Sequence, residues 1–439
     1  MPAHFHGTPA ALWEALPSTQ RELLQMAATA AREADGIACL VGGPVRDLLL
    51  GTASLRDLDL MTTGDARSIA ARFAQRTGGA VEKVTSFGTA TVSLVTHEGA
   101  ASLDFATMRT ETYPHPGALP VVAFPAPTIE DDLKRRDFTI NAMALPLTPE
   151  GFGVLRDPFG GLSDLQTGHI RVLHDASFRD DPTRLFRGVR YAARYSYTFE
   201  THTAQLATMA VHDGCLDTIS PARKRREIEL GMRERNRVGC LGQFHAHGLL
   251  RATSPALVWD DWVAEHVQHV TDRAELLRQE NSDTSAALWA AFVLREGEDA
   301  MTRLFRDVAI TEANLRTPIR TLVSAFSAWQ SGAITAEIPF SALAPHVEKL
   351  AAWIAWEFFP EPMRTRLEAL YERLDAYRAA PHLTGYDLLR LGVSKGPEMG
   401  RVLAALRAAW LDGSMQTPTD EERFVRNRIT PSHYEGNTR

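Results

Sequence analysis

Residues 37–62 read IACLVGGPVRDLLLGTASLRDLDLMT, and this stretch decides the fold of the first part of the chain. Its apolar start, residues 37–41, predicts a short strand that ends at a pair of glycines. Pro44 fits the first turn of a helix, and Gly51 ends that helix. The alternation of polar and apolar residues over 55–61 predicts a second strand. The stretch therefore predicts a strand, a tight turn, a helix and a second strand.

The flanking segments extend this pattern to about residue 150. Residues 1–35 carry apolar residues at helical spacing on both sides of a turn at Pro17. Residues 89–95 and 102–108 alternate in the manner of strands and predict a hairpin. After about residue 165, alanine, leucine, arginine and glutamate dominate, which is typical of helices. We therefore expect an α+β domain followed by an all-α remainder.

Two carboxylates in this stretch, Asp57 and Asp59, are the first candidate catalytic residues. In a strand they face the same side, with their positions about 7 Å apart by strand rise. Such a pair suits divalent metal ions, which activate an attacking oxygen and stabilise a leaving oxygen in nucleotidyl transfer. Asp104, in the second strand of the hairpin, is a candidate third carboxylate. The alternative is that Asp-x-Asp is an ordinary surface strand pattern.

The glycine pair, Gly42 and Gly43, is a candidate phosphate cradle. It is not a Walker loop, because the Lys and Ser/Thr of that motif are missing from GGPVRDLLLG. Glycines lack a Cβ, so their amide groups can approach a phosphate closely. Arg46 and Asp47 follow at once, and two interpretations stay open for them: a structural ion pair, or a role at phosphate or metal.

Residues 131–144, DDLKRRDFTINAMA, form a second candidate cluster. We expect Arg136, Asp137 and Asn141 to contact the triphosphate and ribose of a nucleotide from the start of a helix, because arginine and amide side chains bind those groups well. The alternative is a solvated run of charges.

Residues 177–191, SFRDDPTRLFRGVRY, form the third cluster. Ser177-x-x-Asp180 reads as a capping box that opens a helix. Arginines then recur at helical spacing and share one face, at Arg184, Arg187, Arg190 and Arg194. No equal run of acids lies on that face, which favours a phosphate-rich ligand over a structural ladder.

Asp181 and Arg184 are three residues apart and project side by side on this helix. A carboxylate accepts from an exocyclic amine, and a guanidinium donates to a neighbouring ring nitrogen. Cytosine and adenine share that edge pattern, whereas guanine and uracil do not. The alternative is a simple i,i+3 ion pair on an exposed helix.

Composition limits the class of protein. The 439 residues include 47 Lys plus Arg and 54 Asp plus Glu, for a net charge of −7, so nucleic-acid binding requires local clustering of basic residues. The three cysteines form no CxxC pair, which argues against a disulfide scaffold and a structural zinc site. The longest apolar run, residues 286–294, is too short to span a bilayer, and the N-terminus lacks signal-peptide features. We expect a cytoplasmic protein without a membrane partner, and no protein partner is evident.

Together these clusters resemble the class II tRNA nucleotidyltransferases, which include CCA-adding enzymes, CC-adding enzymes and related poly(A) polymerases. LVGGPVRD with Asp57-x-Asp59 looks like the catalytic motif, and RRDFTINAMA like the ribose and triphosphate motif. DPFGGLSDL is similar to the hinge segment, and DDPTR to the amino-acid template that selects CTP and ATP. LTGYDL with GPEMG looks like the tail that holds tRNA.

The resemblance implies an α+β, polymerase-β-like nucleotidyltransferase head followed by an all-α neck, body and tail. The implied boundaries are 1–150 for the head, 151–240 for the neck, 241–380 for the body and 381–439 for the tail. It also implies Mg²⁺ at Asp57 and Asp59 and the tRNA 3′ end, CTP and ATP as substrates. The nucleotide-binding residues that it implies are Gly42, Gly43, Arg46, Arg136, Asp137, Asn141, Asp181, Arg184, Arg187 and Arg190.

Two departures from the family pattern concern specificity and neck support. Residues 114–120, PHPGALP, stand where CCA-adding members carry a charged loop, and Ala222 stands where the neck motif usually has Glu. Weak addition of the terminal A relative to C is therefore expected, with CC and complete CCA addition both left open. A poly(A) polymerase of the same fold and a non-catalytic RNA-binding relative are the alternative functions.

Overall fold

The computed structural model describes residues 8–52, 54–55, 58–277, 282–347, 357–379 and 383–428. The chain divides into two compact units, Met1–Ala252 and Thr253–Arg439. The division into head, neck, body and tail stays a prediction. Among the described helices, none is long and apolar enough to cross a membrane.

The first unit contains the strands. In chain order they are β1 (Ala38–Val41), β2 (Leu58–Thr62), β3 (Ala80–Val84), β4 (Thr89–Thr96), β5 (Gly99–Thr107), β6 (Thr110–Thr112), β7 (Val121–Ala123), β8 (Ala144–Thr148), β9 (Gly151–Phe152), β10 (His169–Ile170) and β11 (Thr198–Phe199). The main sheet has the order β3-β4-β5-β2-β1-β8-β9, and β6 with β7 and β10 with β11 form separate pairs.

Helices surround this sheet and continue beyond it. They are α1 (Pro9–Glu14), α2 (Ser18–Arg32), α3 (Gly43–Leu49), α4 (Ala66–Thr77), α5 (Ile129–Lys134), α6 (Gly161–Thr167), α7 (Ser177–Asp180), α8 (Thr183–Tyr195), α9 (Thr201–His212), α10 (Pro221–Met232), α11 (Arg237–Ala246) and α12 (Leu249–Thr253). Single 3₁₀ turns lie at Thr139–Asn141 and Cys215–Thr218.

The second unit is helical throughout its described part. Its helices are α13 (Asp261–Leu277), α14 (Ser282–Val293), α15 (Gly297–Asp307), α16 (Ala313–Gln330), α17 (Phe340–Val347), α18 (Glu361–Ala379), α19 (Gly385–Arg390), α20 (Pro397–Leu411) and α21 (Pro418–Arg428). Thr384 and Asp387 form a capping box that starts α19. Leu388, Leu406 and Val425 are core residues of the last three helices.

The structure confirms the predicted fold class and most of the predicted elements. Strand β1 is entirely buried between β2 and β8, as its apolar run requires. The hairpin of β4 and β5 also forms where it was predicted. Strand β2 begins at Leu58, later than predicted, and Asp57 lies outside the described residues. The short pair β10 and β11 is a β element that the helical composition did not indicate.

One glycine lets the helices beyond the sheet approach the sheet domain. Gly188 lies in the middle of α8, and a Cβ there would lie 2.6 Å from the ring of Phe199 and 2.8 Å from that of Phe138. Those distances are shorter than any van der Waals contact, so a larger residue would push α8 away. Phe186, on the same helix, packs edge-on against Phe244 of α11, with ring centroids 5.2 Å apart. Helix α8 is thereby held on both sides.

Candidate functional site

The first unit contains a cavity of about 530 Å³ that brings most of the predicted site residues together. Those that line it are Gly42, Gly43, Arg46, Asp59, Arg136, Asp137, Asn141, Asp181, Arg184 and Arg187. They come from β2, α3, the segment after α5 and the start of α8, so residues more than a hundred positions apart share one space. Whether each contacts a nucleotide stays a prediction.

The glycine turn approaches an arginine closely. Gly42 has a φ of +72°, and a Cβ at this position would lie 3.1 Å from Nη1 of Arg136. The positive φ favours glycine, because other residues rarely adopt it, and a Cβ would also crowd the guanidinium. The turn therefore places backbone beside a cationic side chain on the wall of the cavity.

Arg46 joins α3 to the segment after α5. Its Nε donates to Asp47 at 2.9 Å, and its Nη1 donates to Oδ1 of Asn141 at 2.6 Å. The guanidinium is 5.3 Å from the ring centre of Tyr191 and 5.0 Å from that of Tyr195. The structural pair between Arg46 and Asp47 is thus present, on a side chain that also lines the cavity.

Asn141 continues this network to α8. Its amide donates to Oδ1 of Asp137 at 3.0 Å, and Oδ2 of Asp137 accepts from Nη2 of Arg187 at 2.6 Å. Burial alone would raise the pKa of the Asp137 carboxyl, but Arg187 and the Asn141 amide outweigh burial and hold that pKa below its ordinary value. Asp137 is therefore ionised at neutral pH, and it raises the pKa of the Arg187 guanidinium.

The local structure of this cluster differs from the prediction of a helix start. Helix α5 ends at Lys134, so Arg136 and Asp137 follow a helix end, because the capping box of Thr128 and Asp131 starts the helix earlier. The alternative of a solvated charge run is also wrong. Asp132 is fully buried and accepts from Nη2 of Arg136 at 3.1 Å.

Asp59 and Asp104 are direct partners in the register of the parallel strands β2 and β5. Side chains at paired positions lie on the same face of a sheet, so the two carboxylates share one face. Asp104 does not line the cavity, and its Oδ1 accepts from the hydroxyl of Thr91. Within the described residues, which exclude Asp57, no group of three or more His, Cys, Asp or Glu forms a metal cluster.

The base-reading candidates do not pair with each other. Oδ1 of Asp181 accepts from Nη2 of Arg223 at 2.8 Å, and Arg184 donates to the hydroxyl of Ser177 at 2.7 Å. Nη2 of Arg184 also donates to the backbone carbonyl of Arg135 at 2.9 Å. The simple i,i+3 ion pair is therefore not how these two side chains are held.

The remaining arginines of α8 have acidic partners from a later segment. Arg190 donates to Glu227 at 3.4 Å and to Glu234 at 3.1 Å, and Arg194 donates to Glu234 at 2.6 Å. The structural pairing that the sequence disfavoured is thus present, because its acids lie on and just after α10 rather than on α8. Arg190 does not line the cavity, and its position does not favour the predicted role at a nucleotide.

A second polar cavity, of about 660 Å³, adjoins the first. Gly43, Arg46, Asp59 and Arg194 line both cavities. The second is also lined by Tyr195, Arg233 and Arg235. Asp59 therefore stands where two polar spaces meet.

Three residues of the site were not identified from the sequence. Ser177 was interpreted as a helix cap, but α7 has no side-chain cap, because Ser177 is its first residue and its hydroxyl accepts from Arg184. Arg223 lies on α10, outside the three clusters that the sequence indicates. The hydroxyl of Tyr113 lies 3.4 Å from Nη2 of Arg184. The sequence around Tyr113 shows only that prolines follow it, which does not indicate a site residue. Burial raises the pKa of Tyr113 to about 12, so its hydroxyl keeps its proton.

Comparisons with known proteins identify the family of this chain. Residues 38–171 match the poly A polymerase head domain family. The chain is 33% identical over 400 residues to an A-adding tRNA nucleotidyltransferase of Geobacter sulfurreducens, which covers 88% of this chain and 44% of that protein. It is also 33% identical over 402 residues to an A-adding tRNA nucleotidyltransferase of Halalkalibacterium halodurans, with 88% and 87% covered. The chain thus spans less than half of the Geobacter relative but most of the Halalkalibacterium one.

A CC-adding tRNA nucleotidyltransferase of Deinococcus radiodurans is 31% identical over 388 residues, with 88% of this chain and 87% of that protein covered. Among solved structures, an apo form of a CCA-adding enzyme aligns with a TM-score of 0.77 at 26% identity, over 95% of this chain and 97% of that one. The Thermotoga maritima CCA-adding enzyme in complex with tRNA aligns with a TM-score of 0.72 at 25% identity, over 97% and 100%.

Proposed function

Because this chain belongs to the family of tRNA nucleotidyltransferases, which are enzymes, we propose that it transfers nucleotides from CTP and ATP to the 3′ end of tRNA. In this reaction the terminal 3′ hydroxyl attacks the α-phosphorus of the nucleotide, and pyrophosphate leaves. The nucleotide would occupy the cavity of about 530 Å³. Its triphosphate and ribose would lie near Arg136, Asp137 and Asn141, and its base near Asp181 and Arg184.

One observation carries this proposal: the predicted phosphate, ribose and base residues line a single cavity that Asp59 also borders. Recognition of a whole nucleoside triphosphate needs cations for the phosphates and fixed donors and acceptors for the base edge. The cavity supplies both, with the arginines Arg136 and Arg187 at one cluster and the pair Asp181 and Arg184 at another.

Divalent metal ions are general in this enzyme family, and we assign Mg²⁺ to Asp59 together with Asp57. The donor chemistry fits, because Mg²⁺ favours carboxylate oxygens and is commonly bound by one or two carboxylates plus substrate phosphates. Mg²⁺ therefore does not require the third acidic ligand that is absent among the described residues. When bound, the metal would supply charge stabilisation for the attacking and leaving oxygens.

The second cavity suits the acceptor end of the RNA. It shares Asp59 with the nucleotide cavity and carries Arg233 and Arg235, which can contact backbone phosphates. Tyr195 offers an aromatic ring at the same place. Two substrates entering by two cavities would meet at Asp59, where a carboxylate is needed.

For the end point, we propose C addition with weak addition of the terminal A. Residues 113–120 contain three prolines and no Lys or Arg, and prolines restrict backbone motion. Gly117 donates to the carbonyl of Asp180 at 3.2 Å, and its own carbonyl accepts from Arg223 at 2.7 Å. A segment held in this way is poorly suited to switch the template from C to A. The CC-adding relative is consistent with this end point.

A second candidate is AMP addition to tRNA that already ends in CC. The observation that favours it is the identity to two A-adding relatives, at 33% against 31% for the CC-adding one. Asp181 and Arg184 suit adenine as well as cytosine, because both bases present an amine beside a ring nitrogen.

Product analysis on three acceptors separates these functions. The full chain is incubated with tRNA that ends at the discriminator base, at C or at CC, and with labelled CTP, ATP or both. C addition to the two shorter tRNAs, with the CC-ending product accumulating, supports the proposal. AMP transfer to the CC-ending tRNA alone supports the second candidate, and long A tracts indicate a poly(A) polymerase. No incorporation on any acceptor overturns the proposed function.

The catalytic assignment has its own variants. Asp59→Ala should reduce transfer by orders of magnitude while tRNA binding persists, since phosphate contacts lie elsewhere. Asp213→Ala is the control, because Asp213 is an exposed carboxylate. Asp104→Ala tests the predicted third carboxylate separately. Near-wild-type turnover of Asp59→Ala would contradict the assignment.

A further inference from the structure

The four arginines on one face of α8 differ in the charge of their partners. Arg187 pairs with Asp137, and Arg190 and Arg194 pair with glutamates. The hydrogen-bond partners of Arg184 are neutral oxygens, from the hydroxyls of Ser177 and Tyr113 and the carbonyl of Arg135. Arg184 is nevertheless buried, with 4% of its surface exposed.

This arrangement keeps the charge of Arg184 available. A carboxylate partner would cancel most of the attraction between the guanidinium and an acceptor atom of a ligand. Neutral oxygens hold the group in place without a bonded carboxylate, and they leave further N–H donors for a ligand. A buried guanidinium with no bonded carboxylate is costly in an empty protein, and an acceptor atom of a nucleotide would lower that cost.

Ser177 makes the shortest of these contacts, at 2.7 Å, and its side chain is fully buried. The hydroxyl lies on α7, seven residues before Arg184, and the carbonyl of Arg135, just after α5, accepts from Nη2 of the same guanidinium. Two fixed oxygens from different segments define the plane of the guanidinium. Its remaining donors therefore have a fixed direction.

We propose that Ser177 is a positioning residue for nucleotide selection: its hydroxyl orients the guanidinium of Arg184, so that the arginine discriminates between base edges. The inference rests on the proposed function, because it concerns which base is accepted at that same site. Ser177 does not contact the nucleotide, and it acts through Arg184. Without the hydroxyl, the long arginine side chain samples several rotamers and its donors lose their common direction.

The test is Ser177→Ala in the full chain, with steady-state transfer of each of the four nucleotides to tRNA lacking its 3′ end. We expect the ratio of kcat/KM for the preferred nucleotide over that for UTP to fall about tenfold, as for a lost hydrogen bond to a charged group. KM for the preferred nucleotide should rise, while kcat at saturation changes little. Ser177→Cys, which keeps the volume but accepts more weakly, should be intermediate.

Thr203→Ala is the matched control. Thr203 is also fully buried in the first unit, and its hydroxyl accepts from the backbone of Val172 at 3.2 Å, away from Arg184. This variant should lose thermal stability and keep wild-type selectivity. Equal selectivity of folded Ser177→Ala and wild type, or an equal loss in Thr203→Ala, would overturn the proposal.

Binding of CTP and UTP without tRNA gives a second readout. Ser177→Ala should bind CTP more weakly and lose preference over UTP, and unchanged preference would also overturn the inference. If the wild-type chain transfers no nucleotide to any acceptor, the proposed function fails. A wild-type chain that is active and selective beside an equally selective Ser177→Ala contradicts the inference about Ser177 alone.

Discussion

The two ends of helix α8 carry the same side chain on the same face and hold it in different ways. At the first turn, Arg184 is fixed by neutral oxygens and lines the cavity of about 530 Å³. Toward the last turn, Arg190 is fixed by two carboxylates and lies outside that cavity. Both guanidiniums are buried, at 4% and 9% exposure.

The difference teaches that spacing alone does not assign a function to an arginine. A guanidinium between two buried carboxylates is compensated and serves to join helices. A guanidinium held by neutral acceptors keeps N–H donors that no carboxylate occupies. Arg187 stands between these cases, because it pairs with Asp137 and also lines the cavity.

The largest effect should follow from a substitution of Arg190, whose charge is compensated by two glutamates. Arg190→Met leaves Glu227 and Glu234 without one of their cations, and loss of one partner of a buried ion pair typically costs about 3–5 kcal/mol. We expect the free energy of unfolding to fall by about that amount, measured by urea denaturation of the full chain. If the change in KM for CTP, expressed as a free energy, exceeds the loss of unfolding free energy, the result would contradict a purely structural role for Arg190.

A substitution at Arg187 should reduce stability less and activity more than a substitution at Arg190. Arg187→Gln removes the two hydrogen bonds from Nε and Nη2 to Oδ2 of Asp137. The carboxylate then disturbs the Asn141 amide, which also contacts Arg46. We expect kcat/KM for CTP to fall by about 2–3 kcal/mol of transition-state stabilisation, as for lost hydrogen bonds to charged groups. Arg171→Gln is the comparison, because Arg171 also pairs with a buried aspartate, Asp164, and lines neither cavity. An equal loss in both variants would refute the special place of Arg187.

Substitutions of Arg184 and Asp181, at the start of α8, should change the selectivity for the nucleotide. Arg184→Lys keeps the charge but loses the planar fork, and Asp181→Asn exchanges an acceptor for a mixed donor and acceptor. Each should reduce discrimination against UTP or GTP by about 1–3 kcal/mol. Incorporation of the four nucleotides, each offered singly, measures this loss. Unchanged selectivity in both variants would show that the pair is structural.

The smallest expected effect concerns pH. Burial lowers the pKa of His174, and the nearby Arg184 lowers it further, against the opposing Asp180. Because the folded pKa lies below the unfolded value of about 6.5, the unfolded chain binds more protons as pH falls below that value, and stability decreases. His174→Gln should flatten the dependence of the unfolding free energy on pH below about 6.5.

His202 is the control for this pH effect. Its pKa is raised by the hydrogen bond to Asp175, so its contribution to stability is present at low pH and is lost as pH rises through the folded pKa. His202→Gln should change the slope in the opposite direction. Equal slopes for the wild type and His174→Gln would contradict the first assignment.

Much of the fold follows from local patterns. The glycine pair after an apolar run placed β1 and α3 correctly, because glycine and proline act on the backbone at their own position. The same reasoning failed for the start of α5, because the capping box at Thr128 lies upstream of the charged residues 131–137 where a helix start was predicted. It also failed for Ser177, because Ser-x-x-Asp is the pattern of a helix cap, whereas the Ser177 hydroxyl accepts from Arg184.

The sequence by itself determined most of the elements, the residue types at the cavity and the face of α8 that carries the arginines. Only the tertiary structure decided which of those arginines bond to carboxylates and which bond to neutral oxygens. Arg190 meets Glu234 across 44 positions of sequence, and Arg184 meets the carbonyl of Arg135 across 49. A long side chain takes its partners from whichever segment packs beside it, and helical spacing carries no information about that neighbour.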